Sequence, residues 1–337
     1  MKNRTIYEAS GYLVIPAILQ VNVPFIFIVG GRATGKTYGA LKYVLTSHTK
    51  FMLMRRTQSQ TDLINKAELS PFKPVCEDMG IEINTAPMTK YNAKFMLGED
   101  LIGYTCALST ISNMRGFDAS DVGLLIYDEF IPERHERALK NEGAAFLNAY
   151  ETINRNRELK GQRPLQALCL ANAFDIANPI FMELGLVGIA EKMQQQGKEI
   201  YVNREKGVAI IMPKSQKISN KKSETALYKL TEGSNYADMA LSNKFSYNPT
   251  DNIKTQPLSE YRPVVAVGEI TIYKHKSGRR YYVSEHRTGN PESYNTDEVD
   301  IKRFIAAHGR RLYRAHMNGR VLFENMTCKS LFELYLV

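Results

Sequence analysis

Residues 30–37 read Gly30, Gly31, Arg32, Ala33, Thr34, Gly35, Lys36 and Thr37. This fits G-x-x-x-x-G-K-S/T, a loop whose backbone N–H groups cradle the phosphates of a nucleoside triphosphate. In such a loop Lys36 reaches the β- and γ-phosphates and Thr37 ligates Mg²⁺. A second pair of reactive groups stands at 128–129, where the apolar run Leu124-Leu125-Ile126-Tyr127 ends in Asp128-Glu129. An aspartate in that position supports Mg²⁺ through Thr37 or through a water. The acid after it is placed to orient and deprotonate an attacking water. Alone, 124–129 reads equally as a core strand ending in two surface acids. Downstream of a P-loop it reads as the hydrolytic half of an ATP site.

Three further positions carry candidate chemistry. Asn172 ends the apolar segment 165–171, where an amide can touch the γ-phosphate or the attacking water; a turn-forming asparagine fits the same spacing. Arg155 and Arg157 stand just before that segment. Each suits either a finger that neutralises transition-state charge on a neighbouring subunit's nucleotide or a solvated basic turn. Arg32 within the loop and the pair Arg55-Arg56 are further candidates for such a finger and equally suit phosphate or DNA contact. Whether Arg155, Arg157, Arg32 and Arg56 act in cis or in trans is open on sequence.

These groups need a strand–loop–helix frame. Pro24-Phe25-Ile26-Phe27-Ile28-Val29 is apolar and β-prone, and Tyr38-Gly39-Ala40-Leu41-Lys42-Tyr43-Val44 can continue as a helix. The order lets the loop and the helix N-terminus face a triphosphate. Strands are expected at 25–29, 51–54, 124–127 and 165–171, with a hairpin of 93–97 and 101–106 turned by Gly98-Glu99-Asp100. Alternation with helix-like segments predicts an α/β domain with a largely parallel sheet. At 337 residues the chain exceeds one ordinary core, so a second domain is expected. The predicted division is an ATPase domain at 1–205, a basic linker or lid at 206–252, and a smaller α+β domain at 253–337. In the last, strands are expected at 262–272 and 280–284, and helices at 300–308 and near 331–336.

Composition narrows the partners. The net charge is +9. Lys206, Lys214, Lys217, Lys221, Lys222 and Lys229 are opposed only by Glu224, and Arg303, Arg310, Arg311, Arg314 and Arg320 crowd the C-terminal part. That distribution favours a polyanion partner, whose counterions the cations release. Cys76, Cys106, Cys169 and Cys328 are scattered, and the six histidines form no cluster, so reduced thiols and no structural zinc are expected. The apolar runs at 25–29 and 124–127 are too short to span a bilayer, and the N-terminus lacks the apolar stretch of a signal peptide. A cytosolic protein, cellular or made by a virus within a cell, is the expectation.

Several pieces stand together: Gly-x-Arg-x-x-Gly-Lys-Thr at 30–37, Tyr127-Asp128-Glu129-Phe130-Ile131, Arg155-Asn156-Arg157-Glu158, and Cys169-Leu170-Ala171-Asn172-Ala173 followed by Asn178-Pro179. With them the chain resembles the DNA-packaging ATPases of small, protein-primed tailed bacteriophages, distant relatives of large terminase subunits. The resemblance runs on through Tyr236-Ala237-Asp238-Met239-Ala240-Leu241 to Met317-Asn318-Gly319. It implies a P-loop NTPase of the additional-strand, catalytic-glutamate type. The subunits would form a homo-oligomeric ring, a pentamer in this family, using ATP and Mg²⁺. Docked at the portal of a procapsid in the host cytoplasm, the ring would thread double-stranded DNA inward. Arg155 then matches a trans-acting finger and Asn172 a coupling residue at the nucleotide, and relatives also carry an arginine at the position of Arg32. The basic segment from Lys206 resembles a lid and connector.

Some relatives engage a structural packaging RNA, a further implied partner. The C-terminal domain resembles a degenerate RNase H-type nuclease. Active versions need several convergent carboxylates on two metals. Here the first strand offers Glu269 and no Asp, with Glu285, Asp297 and Asp300 scattered beyond it. Binding of nucleic acid or procapsid without cleavage is therefore expected. The rival functions are a helicase or recombination ATPase and a nucleotide-gated DNA-binding scaffold with little turnover.

Overall fold

The computed structural model describes residues 5–114, 116–133, 136, 139–234, 237, 241 and 251–336. Within the 236–241 segment, Tyr236 and 238–240 lie outside the described residues. The chain divides into two compact units, one of 1–184 with 190–247 and one of 185–189 with 248–337.

The first unit is built on a nine-stranded sheet. Its strands are β1 (Phe25–Val29), β2 (Phe51–Arg55), β3 (Ile83–Pro87), β4 (Ala93–Leu97), β5 (Asp100–Ala107), β6 (Leu124–Asp128), β7 (Gln166–Ala171), β8 (Ile200–Asn203) and β9 (Val208–Ile211). They run in the order β3-β4-β5-β2-β6-β7-β1-β9-β8. From β5 to β9 every neighbouring pair is parallel, while β3-β4-β5 and β9-β8 are antiparallel at the two edges. A parallel sheet covered on both faces wants unbroken apolar strands, and the sequence of β1 and β6 supplies them. Ile26 and Ile28 turn to one face, with Leu41 and Val44 of helix α2 (Lys36–Thr46) and Ile15 and Ile18 of α1 (Ile15–Leu19) in the same cluster. Phe27 turns to the other, 5.5 Å from the ring of Phe130 and 5.3 Å from that of Phe181. On this face Tyr127 stacks on Phe146 of the helix Glu142–Asn154 at 5.5 Å.

The segment expected as a linker from 206 begins inside this sheet. Val208–Ile211 is fully buried and pairs in parallel with β1. The Lys-rich surroundings conceal a short apolar run that a composition reading averages away. The chain then forms the helix Gln216–Ser223, capped by the Ser215 hydroxyl, which accepts from Ile218 N.

The second unit carries a five-stranded sheet of β10 (Tyr261–Val267), β11 (Ile270–His275), β12 (Tyr281–Ser284), β13 (Glu292–Tyr294) and β14 (Val321–Phe323), in the order β13-β10-β11-β12-β14. β10 to β12 form an antiparallel meander, and β13 and β14 add in parallel at its edges. The helical segments 298–317 and Met326–Leu336 contribute Phe304, Leu312, Cys328 and Phe332 to its core. The single strand expected at 262–272 is two strands, because Gly268 takes φ +52° and turns the chain. A Cβ there would stand 2.7 Å from Thr296. Apolar alternation continues on both sides of the turn, so periodicity alone could not reveal it. No helix among the described residues is long and apolar enough to cross a membrane.

Candidate nucleotide site

β6, β7 and β1 lie side by side and parallel, so their C-terminal ends reach one edge of the sheet together. That edge receives the P-loop after β1, Asn172 after β7, and Asp128-Glu129 at the end of β6. The three pieces, far apart in sequence, line one cavity of about 360 Å³ with Arg32 and Tyr38.

The loop owes its shape to two left-handed residues, Ala33 at φ +62° and Gly35 at φ +83°. Gly35 then caps α2, and a Cβ on it would press on the Tyr12 ring at 3.3 Å. The N-terminal segment braces the loop, Leu13 N donating to the Thr34 carbonyl at 3.2 Å. Lys36 is buried and folds into this cradle. Its Nζ donates to the carbonyls of Gly30 (3.1 Å) and Gly31 (2.7 Å) and to Asn172 Oδ1 (3.3 Å). Burial brings its pKa down to about 7, and the charge of Asp128 only partly offsets that.

Thr37 Oγ1 donates to Asp128 Oδ1 at 3.0 Å. A hydroxyl and a carboxylate at this separation are hard oxygen donors that suit Mg²⁺ held largely by phosphate oxygens. Arg55, at the end of β2, bridges both acids. One guanidinium nitrogen pairs with Asp128 Oδ2 at 2.9 Å and the other with Glu129 Oε2. Glu129 adopts φ +59°, a sparsely populated conformation for a non-glycine residue, at the point where β6 ends. The next residue ties it down, Phe130 N donating to the Leu170 carbonyl at 3.2 Å. Lost hydration raises the Glu129 pKa, and Arg55 pulls against that rise. A raised carboxylate pKa suits an acceptor of a water proton.

Arg32 sits at the mouth of the cavity. Its guanidinium pairs with Glu133 at 2.7 Å and lies 5.8 Å from the centre of the Phe174 ring. Its carbonyl accepts from Lys222 Nζ at 2.7 Å.

The other arginines are placed differently. Arg56, a candidate for phosphate or DNA contact, is fully buried. Its guanidinium pairs with Glu142 at 2.6 and 2.9 Å and with Glu136 at 3.1 Å. It is a core ion-pair centre without access to a ligand. Arg55 is the last residue of β2 and reaches the site, while Arg56 lies just past the strand and turns to the interior. Arg155 and Arg157 bind the carbonyls of Phe117 and Val122, ahead of β6, and so lie at the opposite end of the parallel strands from the P-loop. Arg155, at φ +49°, donates to the Phe117 carbonyl. Arg157 donates to the carbonyls of Ala119 (3.3 Å), Ser120 (3.3 Å) and Val122 (2.5 Å) and so ties the approach to β6. Neither lines its own chain's cavity.

Sequence reasoning missed the part of Arg55 as clamp of both acids, and those of Glu133 and Lys222 beside Arg32. A charged residue at the end of an apolar strand was the available signal for Arg55; for the other two the spacing held none. In the second unit Glu285, Asp297 and Asp300 are engaged in hydrogen bonds, a helix cap and an ion pair. Glu269 stands in the turn after Gly268, and Glu285 accepts from Asn325 at 3.1 Å. Asp297 caps the helix Glu298–Phe304, and Asp300 accepts from Asn295 N at 3.0 Å and pairs with Arg303 at 3.1 Å. Among the described residues no three His, Cys, Asp or Glu side chains are grouped to hold a metal.

Comparison with known proteins gives relatives over most of the chain. The DNA packaging protein of Bacillus phage phi29 is 25% identical over 327 residues, covering 92% of each chain. That of Bacillus phage B103 is 26% identical over 335 residues, covering 92% of this chain and 95% of the relative. In fold the chain is similar to a protein of the bacteriophage Phi-29 viral genome packaging motor assembly, with a TM-score of 0.67, 21% identity and coverage of 98% and 99%. The model of the podovirus DNA encapsidation protein (Gp16) matches residues 8–336. With a P-loop ATPase site in the first unit and a match across nearly its whole length, the chain belongs to the podovirus DNA encapsidation protein (Gp16) family.

Proposed function

We propose that this chain is an ATPase subunit of a homo-oligomeric ring that drives double-stranded viral DNA into a preformed procapsid. The observation that carries the reading is the hydrogen bond of Thr37 to Asp128, with Glu129 beside it, at one end of a sheet that also presents Asn172. Each of these groups has a task. The loop N–H groups and the N-terminus of α2 hold the phosphates, and Lys36 exchanges its carbonyl partners for phosphate oxygens. Thr37 and Asp128 would hold Mg²⁺, which neutralises charge between the β- and γ-phosphates when bound. Glu129 accepts the proton of the attacking water at Oε once Arg55 yields that oxygen. Asn172, already bonded to Lys36, reports the state of the γ-phosphate to β7. Arg155 serves the neighbouring subunit's nucleotide, since in its own chain it stands at the wrong end of the strands. The basic helix Gln216–Ser223 acts as part of a lid.

The second unit is proposed as a degenerate RNase H-type domain that binds nucleic acid or procapsid without cutting. The engagement of Glu285, Asp297 and Asp300 in hydrogen bonds, a helix cap and an ion pair supports this. The ring works in the host cytoplasm, transiently attached to the portal vertex. Phosphate release with and without DNA is the first test. DNA must stimulate turnover, and its affinity must fall steeply with salt. ATP-dependent protection of DNA by purified procapsids is the second. Loss of turnover without loss of protection would overturn the motor reading.

A further inference from the structure

Six cations gather at one end of the second unit's sheet. Arg262, near the start of β10, is paired directly with Lys274 of β11 across the antiparallel ladder. Lys276, Arg279 and Arg280 follow in the turn between β11 and β12, where His275 N donates to the Arg280 carbonyl at 3.0 Å. Arg320 precedes β14, and its carbonyl accepts from Tyr281 N of β12 at 2.8 Å. The four strands are neighbours in the order β10-β11-β12-β14. At about 4.8 Å between strands, the cluster spans about 15 Å.

The cluster is unopposed. Lys274 is half-buried and the other five are exposed, and no side chain among the six makes an ion pair or a hydrogen bond with the described residues. The acid beside them, Glu260, has its carboxylate 3.7 Å from His275 Nε2. Elsewhere in this unit Lys302 pairs with Glu298 at 2.7 Å and Arg303 with Asp300 at 3.1 Å. Like charges directly opposite on two strands work against the sheet. Arg262 beside Lys274 is therefore a cost that nothing among the described residues offsets, and that a bound polyanion would.

A duplex fits the cluster better than a single strand. Single strands are held largely by bases stacked on exposed aromatic rings, and the rings beside the cluster, Tyr261 and Tyr281, are each only 5% exposed. Cations alone suit a phosphate backbone, and over about 15 Å one DNA strand carries about four phosphates. The chain belongs to a DNA encapsidation family, which makes duplex DNA the polyanion at hand. We infer that this end of the sheet grips the backbone of double-stranded DNA, with Arg262 and Lys274 at the centre of the contact. The inference rests on the proposed nucleic-acid role of the second unit and names the face that serves it.

The measurement is equilibrium binding of a fluorescent DNA duplex of about 30 bp by the full-length chain, between about 50 and 200 mM salt. Arg262→Gln/Lys274→Gln removes two phosphate contacts and flattens the salt slope by about 1.8, so the fall in affinity across that range shrinks about twelvefold. Lys302→Gln/Arg303→Gln makes the same change in net charge and leaves the slope as in the parent. Equal flattening in both variants, or none in the first, overturns the face. A duplex RNA of equal length is the second arm, and weakening of RNA binding alone overturns the DNA assignment. Relief of the like-charge pair keeps the urea midpoint of the first variant at or above the parent's, so lost binding is not lost fold.

Photo-crosslinking separates failure of the face from failure of the underlying reading. A benzophenone is attached at Lys276→Cys, or at Arg314→Cys in the helix Arg310–Met317. Both chains carry Cys76→Ser, because the other three cysteines are buried. DNA joined at position 276 upholds the face. DNA joined at 314 alone still binds the second unit, but elsewhere, and the face is refuted. DNA joined at neither position refutes the nucleic-acid reading of the unit together with the face.

Discussion

Replacing Arg56 by methionine separates a core ion pair from a ligand contact. The guanidinium is fully buried and Glu142, its two-point partner at 2.6 and 2.9 Å, has no exposed side-chain surface. Removing the cation leaves an uncompensated carboxylate in the interior, which costs about 3–5 kcal/mol. Glu136 adds little to that penalty, because it is 24% exposed and keeps Gln60 as a partner at 2.7 Å. For a unit of this size, with a urea slope near the top of about 1–3 kcal/mol/M, the midpoint falls by roughly 1–2 M. Amide exchange in the helix Glu142–Asn154 reports this unit alone and accelerates by about two to three and a half orders of magnitude. The double variant Arg56→Met/Glu142→Leu removes both charges and regains most of the loss, since apolar replacement of a buried pair is often neutral. A single variant costing under about 1 kcal/mol refutes the reasoning, as does a double variant no better than the single. Reduced DNA affinity in a chain of unchanged stability would instead restore Arg56 as a ligand contact.

Glu129→Gln keeps the shape and removes the proton acceptor, so turnover drops about 10²–10⁴-fold while nucleotide binding by equilibrium titration persists. Arg55→Ala removes the cation that holds down the Glu129 pKa. That pKa rises further, and the acid limb of the kcat–pH profile moves to higher pH; an unmoved limb counts against the clamp. Arg157→Ala frees three loop carbonyls and costs about 1–3 kcal/mol in urea unfolding. Arg155→Ala, at an exposed position, changes stability by under about 0.5 kcal/mol yet abolishes turnover of a pure ring. If both arginines behave alike in the two assays, their assignment to separate tasks is wrong.

The legible part of the site was whatever one local segment determines. The P-loop pattern carries its own turn and helix start, and 124–129 carries an apolar strand with its acids. The central strands of the first unit were readable for the same reason, since burial on both faces demands unbroken apolar runs. β9 was not, because four apolar residues amid lysines resemble neither a long strand nor a loop. The break at Gly268 escaped periodicity, as a tight turn between two apolar strands preserves alternation. The adjacent arginines at 55 and 56 show the limit most clearly. Their types are identical, yet Arg55 closes β2 beside the acids and Arg56, one residue past the strand, pairs inside with Glu142.

By itself, then, the sequence determined which groups form a P-loop and which acid follows the strand, because these are matters of residue type and short spacing. The tertiary structure decided which distant pieces meet. Placing β7 between β1 and β6 sets Asn172 between the P-loop and Asp128. The shared direction of those strands puts Arg155 at the far end, beyond the reach of its own chain's cavity. Strand order and direction depend on how many remote segments bury one another at once, and no local spacing encodes that.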